Sequence, residues 1–476
     1  MGNKKIRIIF VVIVLKFLST AVFAKTVPMD PDYNRQWGLK NDGQKLERAQ
    51  TPGFSGVDIG IERAWDFTTG SREIIVAVSD SGIDLKNPDL QKNLWVNQKE
   101  KEGLPNVDDD GNGYVDDIYG WDFANDDNDP TDDNQHGTHI AGIIGAQGNN
   151  RLGIAGINWK VRIMAVKWLD SGLRGSTEDA AKSLHYAMDM GAKVINCSWG
   201  EDNDVDDYEP PKELVEAIRR AERENVLIVA AAGNEGYDLK AGAFYPASFK
   251  SDHLISVAAV NNQAQLWEAG GHASNYGAQD VDIAAPGEDI PSYALNGVIK
   301  PLSGTSMAAP FVSGVAALML SKDPSLSAPE LKRRILNSAK TYPHLRTKIR
   351  TAGVVNAYYA LNNESHPLDL DDPFNGNHIS QELAIKDYPL SSVQYYTLSH
   401  PGAHKIAVHF KKFHLTFGDS LTILNSDGEE VIKYNGEHSG KYSPYVKGDT
   451  ITLKLKSDDF DYNGQGIFID HIATQI

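Results

Sequence analysis

Three short segments carry the residue types that acyl transfer requires. One is a β-branched run that ends in Asp80 and a glycine, and a second opens an apolar stretch with His136. The third places Ser306 just before another apolar stretch, near a predicted helix N-terminus where developing negative charge is favoured. Acyl transfer needs a nucleophile, a base that takes its proton, and a carboxylate that orients the base. Asp80, His136 and Ser306 therefore predict a catalytic triad.

Each segment also has an ordinary structural interpretation when it stands alone. A strand that ends in Asp80 is typical of a simple turn, and a lone serine at a helix start is usually a cap. His139 is the competing histidine in the second segment. Its place one turn into the predicted helix favours a core or supporting role, so we predict that His136 is the base.

Taken together, residues 76–84, 136–142 and 304–310 closely resemble the signature motifs of the subtilase family of serine peptidases, in the chain order Asp, His, Ser. The resemblance implies that Ser306 attacks the scissile carbonyl, that His136 acts as general base and then acid, and that Asp80 orients the imidazole.

A fourth segment, residues 230–236, resembles the oxyanion-hole loop of the family. It implies that Asn234 donates its side-chain amide to the tetrahedral oxyanion, beside the backbone N–H of Ser306.

The resemblance also implies where a substrate lies. Residues 198–200 resemble the segment along which an extended peptide adds as a strand, and residues 172–175 resemble the loop that faces it. Phe244 stands where the type enzyme has a small residue, so we expect a shallow or reshaped pocket for the side chain before the cleaved bond. The implied substrate-binding residues are Ser198, Trp199, Gly200, Gly172, Glu235 and Phe244. Tyr245-Pro246 matches a cis peptide bond of the family.

Eleven aspartates and no lysine or arginine lie between residues 106 and 135. Within this stretch Asp108, Asp110, Asn112 and Asp116 reproduce the first nine positions of an EF-hand calcium loop, with glycine at the sixth. The twelfth position is Tyr119 instead of glutamate, so we predict a nine-residue Ca²⁺ loop and no complete EF-hand. A solvated acidic loop is the alternative.

Two further Ca²⁺ sites are implied by the resemblance alone. The first has Asp30, Asp89 and Asn150 as side-chain ligands, and the second has Asp122, Asp127 and Asp129. Asn125 replaces an aspartate that relatives carry in the second site, which weakens its expected affinity. Calcium is expected to stabilise the folded state by mass action and to take no part in the chemistry.

The elements that must position these residues alternate along the chain. Short apolar runs at 74–78, 162–166, 194–197, 226–231 and 254–260 predict buried strands, and the segments between them show helical spacing. This order predicts a subtilisin-like α/β fold: a parallel sheet with helices on both faces. We expect this peptidase domain to span residues 25–361.

Residues 362–379 have the composition of a linker, and residues 380–476 show short alternating strands with Asp-Gly and Asn-Gly turns. We predict an all-β sandwich that resembles a cysteine-free CUB-type domain. That resemblance implies binding of protein or carbohydrate, with calcium held by acids such as Asp419 and Asp458. A purely structural appendage is an equal alternative.

Composition narrows the function further. The formal net charge of −18 argues against nucleic acid as a partner, because phosphate binding requires a basic surface. Cys197 is the only cysteine, so no intrachain disulfide forms. It ends a predicted buried strand, where a cysteine acts as a small hydrophobe.

Residues 1–24 combine Lys4, Lys5 and Arg7 with an apolar run and a small-residue cleavage site after Ala24, which is the pattern of a signal peptide. We therefore expect a secreted or periplasmic protein with no stable membrane insertion. The segment at 30–38 resembles the start of mature subtilases, so we also expect folding without an inhibitory prodomain.

The leading hypothesis is a secreted endopeptidase that cleaves proteins or peptides. The alternative is a catalytically silent protein that binds peptides or surfaces, although the four intact catalytic residues argue against it. An α/β-hydrolase is excluded because Ser306 lacks the Gly-x-Ser-x-Gly context.

Overall fold

The computed structural model describes residues 26–476 apart from 49, 51, 203–208, 368–372, 374–375, 387, 417, 437 and 460–465. The predicted signal peptide lies outside the described residues. The last helix of the α/β part ends at Asn362, and the first strand of the C-terminal part begins at Asn377.

The α-helices of the described chain are α1 Ile61–Trp65, α2 Gln98–Glu102, α3 His136–Gly145, α4 Thr177–Asp189, α5 Lys212–Glu224, α6 Thr305–Lys322, α7 Ala328–Asn337 and α8 Ala357–Asn362. The strands before the last helix are β1 Gly70–Asp80, β2 Gly120–Asp122, β3 Lys160–Lys167, β4 Val194–Cys197, β5 Glu201–Asp202, β6 Leu227–Ala231, β7 Phe244–Tyr245, β8 Leu254–Val260, β9 Glu268–Ala269, β10 His272–Ala273, β11 Ile283–Pro286, β12 Ile290–Tyr293, β13 Ile299–Leu302, β14 Lys340–Thr341 and β15 Gly353–Val354.

Nine of these strands form one sheet in the order β14-β15-β11-β8-β6-β4-β1-β3-β2. Every neighbouring pair is parallel except β14 and β15 at one edge. The five runs predicted as strands all lie in this sheet, so the predicted α/β architecture is confirmed.

Both faces of the sheet are buried, which explains why its strands are apolar runs without polar alternation. Val76 and Val78 of β1 belong to one hydrophobic core, whereas Ala77 between them belongs to the other. On the first face, α6 packs against β1, β4, β6 and β8. A helix in this position must be apolar on all sides, and α6 is buried from Met307 to Leu320.

The parallel arrangement brings the carboxyl ends of three central strands to one edge of the sheet. Asp80 is the last residue of β1, Ser198 follows β4, and Asn234 lies three residues after β6. Carboxyl ends of strands in open α/β sheets are the usual place for a functional site.

The C-terminal strands are β16 Asn377–Ile385, β17 Val393–Ser399, β18 Lys405–His414, β19 Ser420–Leu424, β20 Glu430–Tyr434, β21 Lys441–Tyr442, β22 Val446–Lys447, β23 Thr450–Lys456 and β24 Gly466–Gln475. They form two antiparallel sheets, β16-β24-β18-β21 with β22 on β18, and β17-β23-β19-β20. A separate hydrophobic core includes Phe410 and Phe413. The all-β prediction is confirmed, while the CUB-type identity stays a prediction.

Among the described residues, no helix is both long enough and apolar enough to cross a membrane.

Candidate active site

Asp80 and His136 meet at the carboxyl edge of the sheet. His136 opens α3, and its Nδ1 lies 2.7 Å from Oδ1 of Asp80. The Asp80 side chain is fully buried, and its Oδ1 also accepts the backbone N–H of Ser81 at 2.8 Å. This contact fixes the plane of the imidazole and leaves Nε2 as the ring nitrogen available for proton transfer.

The electrostatics of the pair make the His136 ring more basic. Burial of the His136 ring opposes its protonation, but the charge and hydrogen bond of Asp80, together with the charge of Asp132, outweigh burial. The pKa of His136 therefore lies above its ordinary value. A raised pKa means a more basic ring and a better acceptor for a hydroxyl proton.

Ser306 is the second residue of α6 and lies in the same cleft as His136. Its Oγ donates a hydrogen bond to the carbonyl of Ser198 at 3.0 Å, and Oγ of Ser198 donates to the carbonyl of Ser306 at 2.8 Å. A hydroxyl carries one proton, so the hydrogen bond to Ser198 must break before that proton reaches His136.

A buried chain of hydrogen bonds holds this strand segment beneath the nucleophile. Ser313 donates to Oδ1 of Asn196, and Nδ2 of Asn196 donates to Oγ of Ser198, both at 2.8 Å. Asn196 and Ser313 are fully buried. These hydrogen bonds link the middle of α6 to the end of β4, so they fix the position of Ser198 relative to Ser306.

The amide of Asn234 is oriented by Thr305, a residue to which the sequence analysis gave no role. Oδ1 of Asn234 accepts from the backbone N–H of Thr305 at 2.9 Å and from its hydroxyl at 3.0 Å. The Thr305 hydroxyl in turn accepts from the backbone N–H of Gly233 at 3.1 Å. With Oδ1 engaged, Nδ2 is the group that Asn234 can present to an oxyanion.

Gly304, the N-cap of α6, has a φ of +143°, and an added Cβ would lie 3.3 Å from Oδ1 of Asn234. A side chain there would be strained and would crowd the Asn234 amide. The glycine of the predicted motif is therefore required by the backbone at this turn.

A cleft of about 440 Å³ joins these groups, and its lining includes His136, Ser306 and Asn234. Five of the six predicted substrate-binding residues also line it: Ser198, Trp199, Gly200, Glu235 and Phe244. Gly172 does not line the cleft, whereas residues 173–175 of the same loop do. Oδ1 of Asp170 accepts the backbone N–H groups of Gly172 and Arg174, which closes the loop into a tight turn.

Phe244 shapes one wall of the cleft. Its ring packs on Gly200, where an added Cβ would lie 2.2 Å from the ring, and β5 pairs with β7 beside this contact. Glu235 turns back on its own loop: its Oε2 accepts from the backbone N–H of Asn234 and from the amide of Asn275. The Tyr245-Pro246 peptide bond is cis, as predicted.

His139 and Cys197 are both withdrawn from the cleft. His139 is fully buried, and its Nε2 contacts the carbonyl of Lys300 at 3.0 Å. Burial lowers the pKa of His139 to about 3. Cys197 is fully buried in β4, and burial raises the pKa of its thiol. The contacts of His139 are those of a supporting residue, in agreement with the choice of His136.

The predicted ligands Asp30, Asp89 and Asn150 lie together. Asp30 accepts the backbone N–H of Asn150 at 3.1 Å, and the Asn150 amide donates to Oδ1 of Asp89. Tyr293 donates its hydroxyl to Oδ2 of Asp89 at 2.7 Å. Burial raises the pKa of Asp89 to about 6 and also raises the pKa of Asp30. Two buried carboxylates side by side fit a cation, which would compensate their charge.

A carboxylate from outside the predicted EF-hand-like loop lies against it. Glu100 of α2 is buried and accepts the backbone N–H groups of Asp109 and Asp110. One carboxylate oxygen from each of Glu100, Asp108 and Asp110 lies within 4.8 Å of the other two. Glu100 therefore places beside the loop a carboxylate of the kind that the twelfth position of a complete EF-hand supplies and that Tyr119 does not. Because Glu100 lies before the loop in sequence, the loop motif gave no signal for its contribution.

The other two predicted residues of this loop have different contacts. Oδ1 of Asn112 accepts the backbone N–H of Tyr114, and Oδ2 of Asp116 accepts the N–H of Asn106. The neighbouring Asp117, to which the sequence analysis gave no role, is fully buried and accepts a hydrogen bond from the Tyr186 hydroxyl. Burial raises the pKa of Asp117 to about 6.

Asp122, Asp127 and Asp129 form successive turns. Asp122 accepts the backbone N–H of Ala124 and the amide of Asn125, while Asp127 accepts the N–H of Asp129. Among the described residues, these three are not one of the groups whose ligand atoms lie within 4.8 Å of one another. Calcium binding there stays a prediction from the resemblance.

Several known proteins are similar to this chain. Residues 71–360 match the model of the subtilase family. Subtilisin-like protease 1 of Plasmodium falciparum (isolate 3D7) is 35% identical over 305 residues, which cover 60% of this chain and 43% of that protein. The thermophilic serine proteinase of Bacillus sp. (strain AK1) is 37% identical over 298 residues, covering 63% of this chain and 64% of that protein.

Among solved structures, that of the prenylagaramide maturation protease PagA is similar, with a TM-score of 0.51 and 28% identity. The match covers 64% of this chain and 99% of PagA. The chain spans about half the length of the Plasmodium relatives named subtilisin-like protease 1, between 43% and 56% of each.

Proposed function

Because this chain belongs to the subtilase family, we propose that it is a calcium-stabilised serine endopeptidase that hydrolyses peptide bonds through an acyl-enzyme. Ser306 attacks the scissile carbonyl while His136 takes its proton, and Asp80 stabilises the imidazolium that forms. Asn234 and the backbone N–H of Ser306 stabilise the oxyanion. His136 then returns the proton to the leaving amine, and water releases the acyl group by the same route.

The observation that carries this proposal is the 2.7 Å contact between buried Asp80 and His136, beside a cleft that Ser306 and Asn234 also border. A peptide substrate lies along residues 198–200, and Phe244 limits the space for the side chain before the cleaved bond. Protein and peptide chains are therefore the proposed substrates.

Casein hydrolysis tests the proposal directly. We expect the purified chain to degrade casein, and phenylmethylsulfonyl fluoride to abolish the activity by sulfonylating the Ser306 hydroxyl, with loss of fluoride. Mass spectrometry of the inhibited protein should place the adduct on Ser306. Activity that survives complete labelling of Ser306, or folded protein with no activity on any unfolded substrate, would contradict an endopeptidase.

Calcium is proposed to bind at the three predicted sites, and the contacts described above support two of them. Asp30, Asp89 and Asn150 hold one ion, and Asp108, Asp110 and Glu100 contribute to another, with Asn112 and Asp116 as further loop oxygens. The Asp122, Asp127 and Asp129 site is proposed on the resemblance only. A hard cation bound by oxygen ligands compensates carboxylates that are otherwise brought together at a cost.

Removal of calcium is expected to lower the thermal stability of the chain. Free Ca²⁺ at about a hundred times its Kd stabilises the folded state by about 2.7 kcal/mol per site, which corresponds to a shift of several degrees in Tm. Scanning calorimetry of the Ser306→Ala protein, which cannot digest itself, measures the shift between calcium and chelator. Glu100→Gln should reduce the shift, whereas Glu102→Gln, an exposed position on the same helix, should leave it unchanged. Equal shifts in the two variants would show that Glu100 does not bind calcium.

The remaining proposals concern the rest of the chain. We propose a secreted or periplasmic location, a peptidase domain at 25–361, a linker at 362–379 whose last three residues lie in β16, and a C-terminal domain at 380–476 that binds protein or carbohydrate. Asp419 is buried and accepts from Tyr388, Thr416 and the backbone N–H of Asp458. These contacts join the loops at one end of the C-terminal domain around an acidic centre.

A further inference from the structure

A cluster of histidines lies on one sheet of the C-terminal domain, far from the catalytic residues in sequence. His409 of β18 and His471 of β24 are cross-strand partners, and their rings stack with centroids 4.4 Å apart and planes at 24°. The ring of His378 on β16 is 5.3 Å from that of His471. Tyr442 of β21 pairs with His409, and its hydroxyl hydrogen-bonds Nε2 of His471.

A β-bulge places a carboxylate beside these rings. His409 and Phe410 of β18 pair with His471 and Ile469 of β24, so Asp470 is the extra residue between them. Successive residues of a regular strand point to opposite faces, but a bulge re-aims the side chain of its extra residue. Oδ1 of Asp470 lies 2.6 Å from Nδ1 of His409 and 2.9 Å from Nδ1 of His471.

We propose that His409, His471 and Asp470 form a binding site for a first-row transition metal ion of the Zn²⁺ type. One possible ligand atom from each residue lies within 4.8 Å of the other two. Two imidazoles and a carboxylate are ligands that zinc, cobalt and nickel ions share. Calcium takes oxygen ligands only, so this site differs in chemistry from the acidic loops of the peptidase domain.

The cluster is not needed to build the core of the sheet. Val408 and Phe410, on either side of His409, are fully buried in the hydrophobic core, so alternation turns the His409 ring to the other face. The side chains of His409, Asp470 and His471 are 16%, 29% and 24% exposed to solvent. They are shielded enough to be ordered and open enough for an ion to enter.

Three ligands leave one position of a tetrahedral ion open. Tyr442 and His378 adjoin the cluster on the two outer strands and offer a hydroxyl and a third imidazole. The site would tie β16, β24, β18 and β21 together on one face of the sheet, and an ion with an open position could also take a ligand from a bound partner.

Zinc binding by the full chain tests the proposal. The Ser306→Ala protein is used with its calcium restored after chelation, so neither self-digestion nor calcium loss affects the result. Calorimetric titration with ZnCl₂ should show saturable binding of one equivalent. The double variant His409→Gln, His471→Gln should bind more than about a hundredfold more weakly, beyond the loss typical of an outer-shell partner.

His404→Gln is the matched control, because it removes an exposed imidazole one residue before β18 and should leave the zinc affinity unchanged. Titration with Co²⁺ gives a second readout: visible absorption bands of a nitrogen-ligated ion should appear up to one equivalent and disappear when zinc is added.

Absence of saturable zinc binding, or equal affinity in the double variant and the control, would overturn the proposal. If circular dichroism shows that the double variant is unfolded, the cobalt bands of the parent protein decide instead, and their absence overturns it. Because Ser306→Ala is inactive by design, either result is independent of the proposed peptidase activity.

Discussion

Replacing Ser306 with alanine is expected to lower kcat on casein or a peptide substrate by about 10⁶, the loss known for this exchange in subtilisin itself. The physical reason is that the alanine has no hydroxyl to attack the carbonyl, so no acyl-enzyme forms. His136→Ala should cost about as much, because an undeprotonated serine is a poor nucleophile at neutral pH.

The double variant distinguishes a triad from two independent residues. If Ser306 and His136 act as one unit, Ser306→Ala with His136→Ala should be no slower than either single variant. The measurement is single-turnover and steady-state hydrolysis of one peptide, with Ser325→Ala, an exposed serine after α6, as the control of unchanged activity. Additive losses in the double variant, or substantial activity in Ser306→Ala, would refute the assigned triad.

Asp80→Asn is expected to lower kcat by about 10⁴, the loss known for the same exchange in a chymotrypsin-type triad. An asparagine has nearly the same shape, but it no longer carries the charge that stabilises the imidazolium. Its amide can also donate to Nδ1 of His136 and so favour the wrong tautomer. Asp42→Asn, at an exposed position, should be indistinguishable from the parent protein.

The pH profile separates this electrostatic role from a structural one. Catalysis requires neutral His136, so kcat/KM should rise with pH through the His136 pKa, which Asp80 holds above its ordinary value. Loss of the Asp80 charge lowers that pKa, so the rising limb of the residual activity should move to lower pH in Asp80→Asn. A limb at the same pH as in the parent would show that Asp80 does not set the basicity of His136.

Much of this site was readable in the sequence because its signals are local. Asp80, His136 and Ser306 sit at strand ends and helix starts whose motifs, taken together, resemble those of the subtilase family, and the buried strands are recognisable from their apolar runs. The motif around Asn234 was recognisable from its resemblance to the oxyanion-hole loop of the family. The order of these segments was enough to predict a parallel sheet, since successive strand and helix units cross over in one direction.

The tertiary structure decided what depends on contacts between distant segments. Thr305 orients Asn234 across 71 positions, and Glu100 completes an acidic loop that lies after it. The same holds for the resting contact between Ser306 and Ser198, and for residues 173–175 lining the cleft in place of Gly172.

The histidine cluster shows the limit most clearly. His378, His409 and His471 have no motif spacing, and neighbours in a regular strand such as Asp470 and His471 should face opposite sides. Strand register and one bulge bring them together. Sequence patterns report which face of an element a residue occupies, whereas pairing register, bulges and side-chain rotation are fixed by packing between elements, and only the folded chain specifies them.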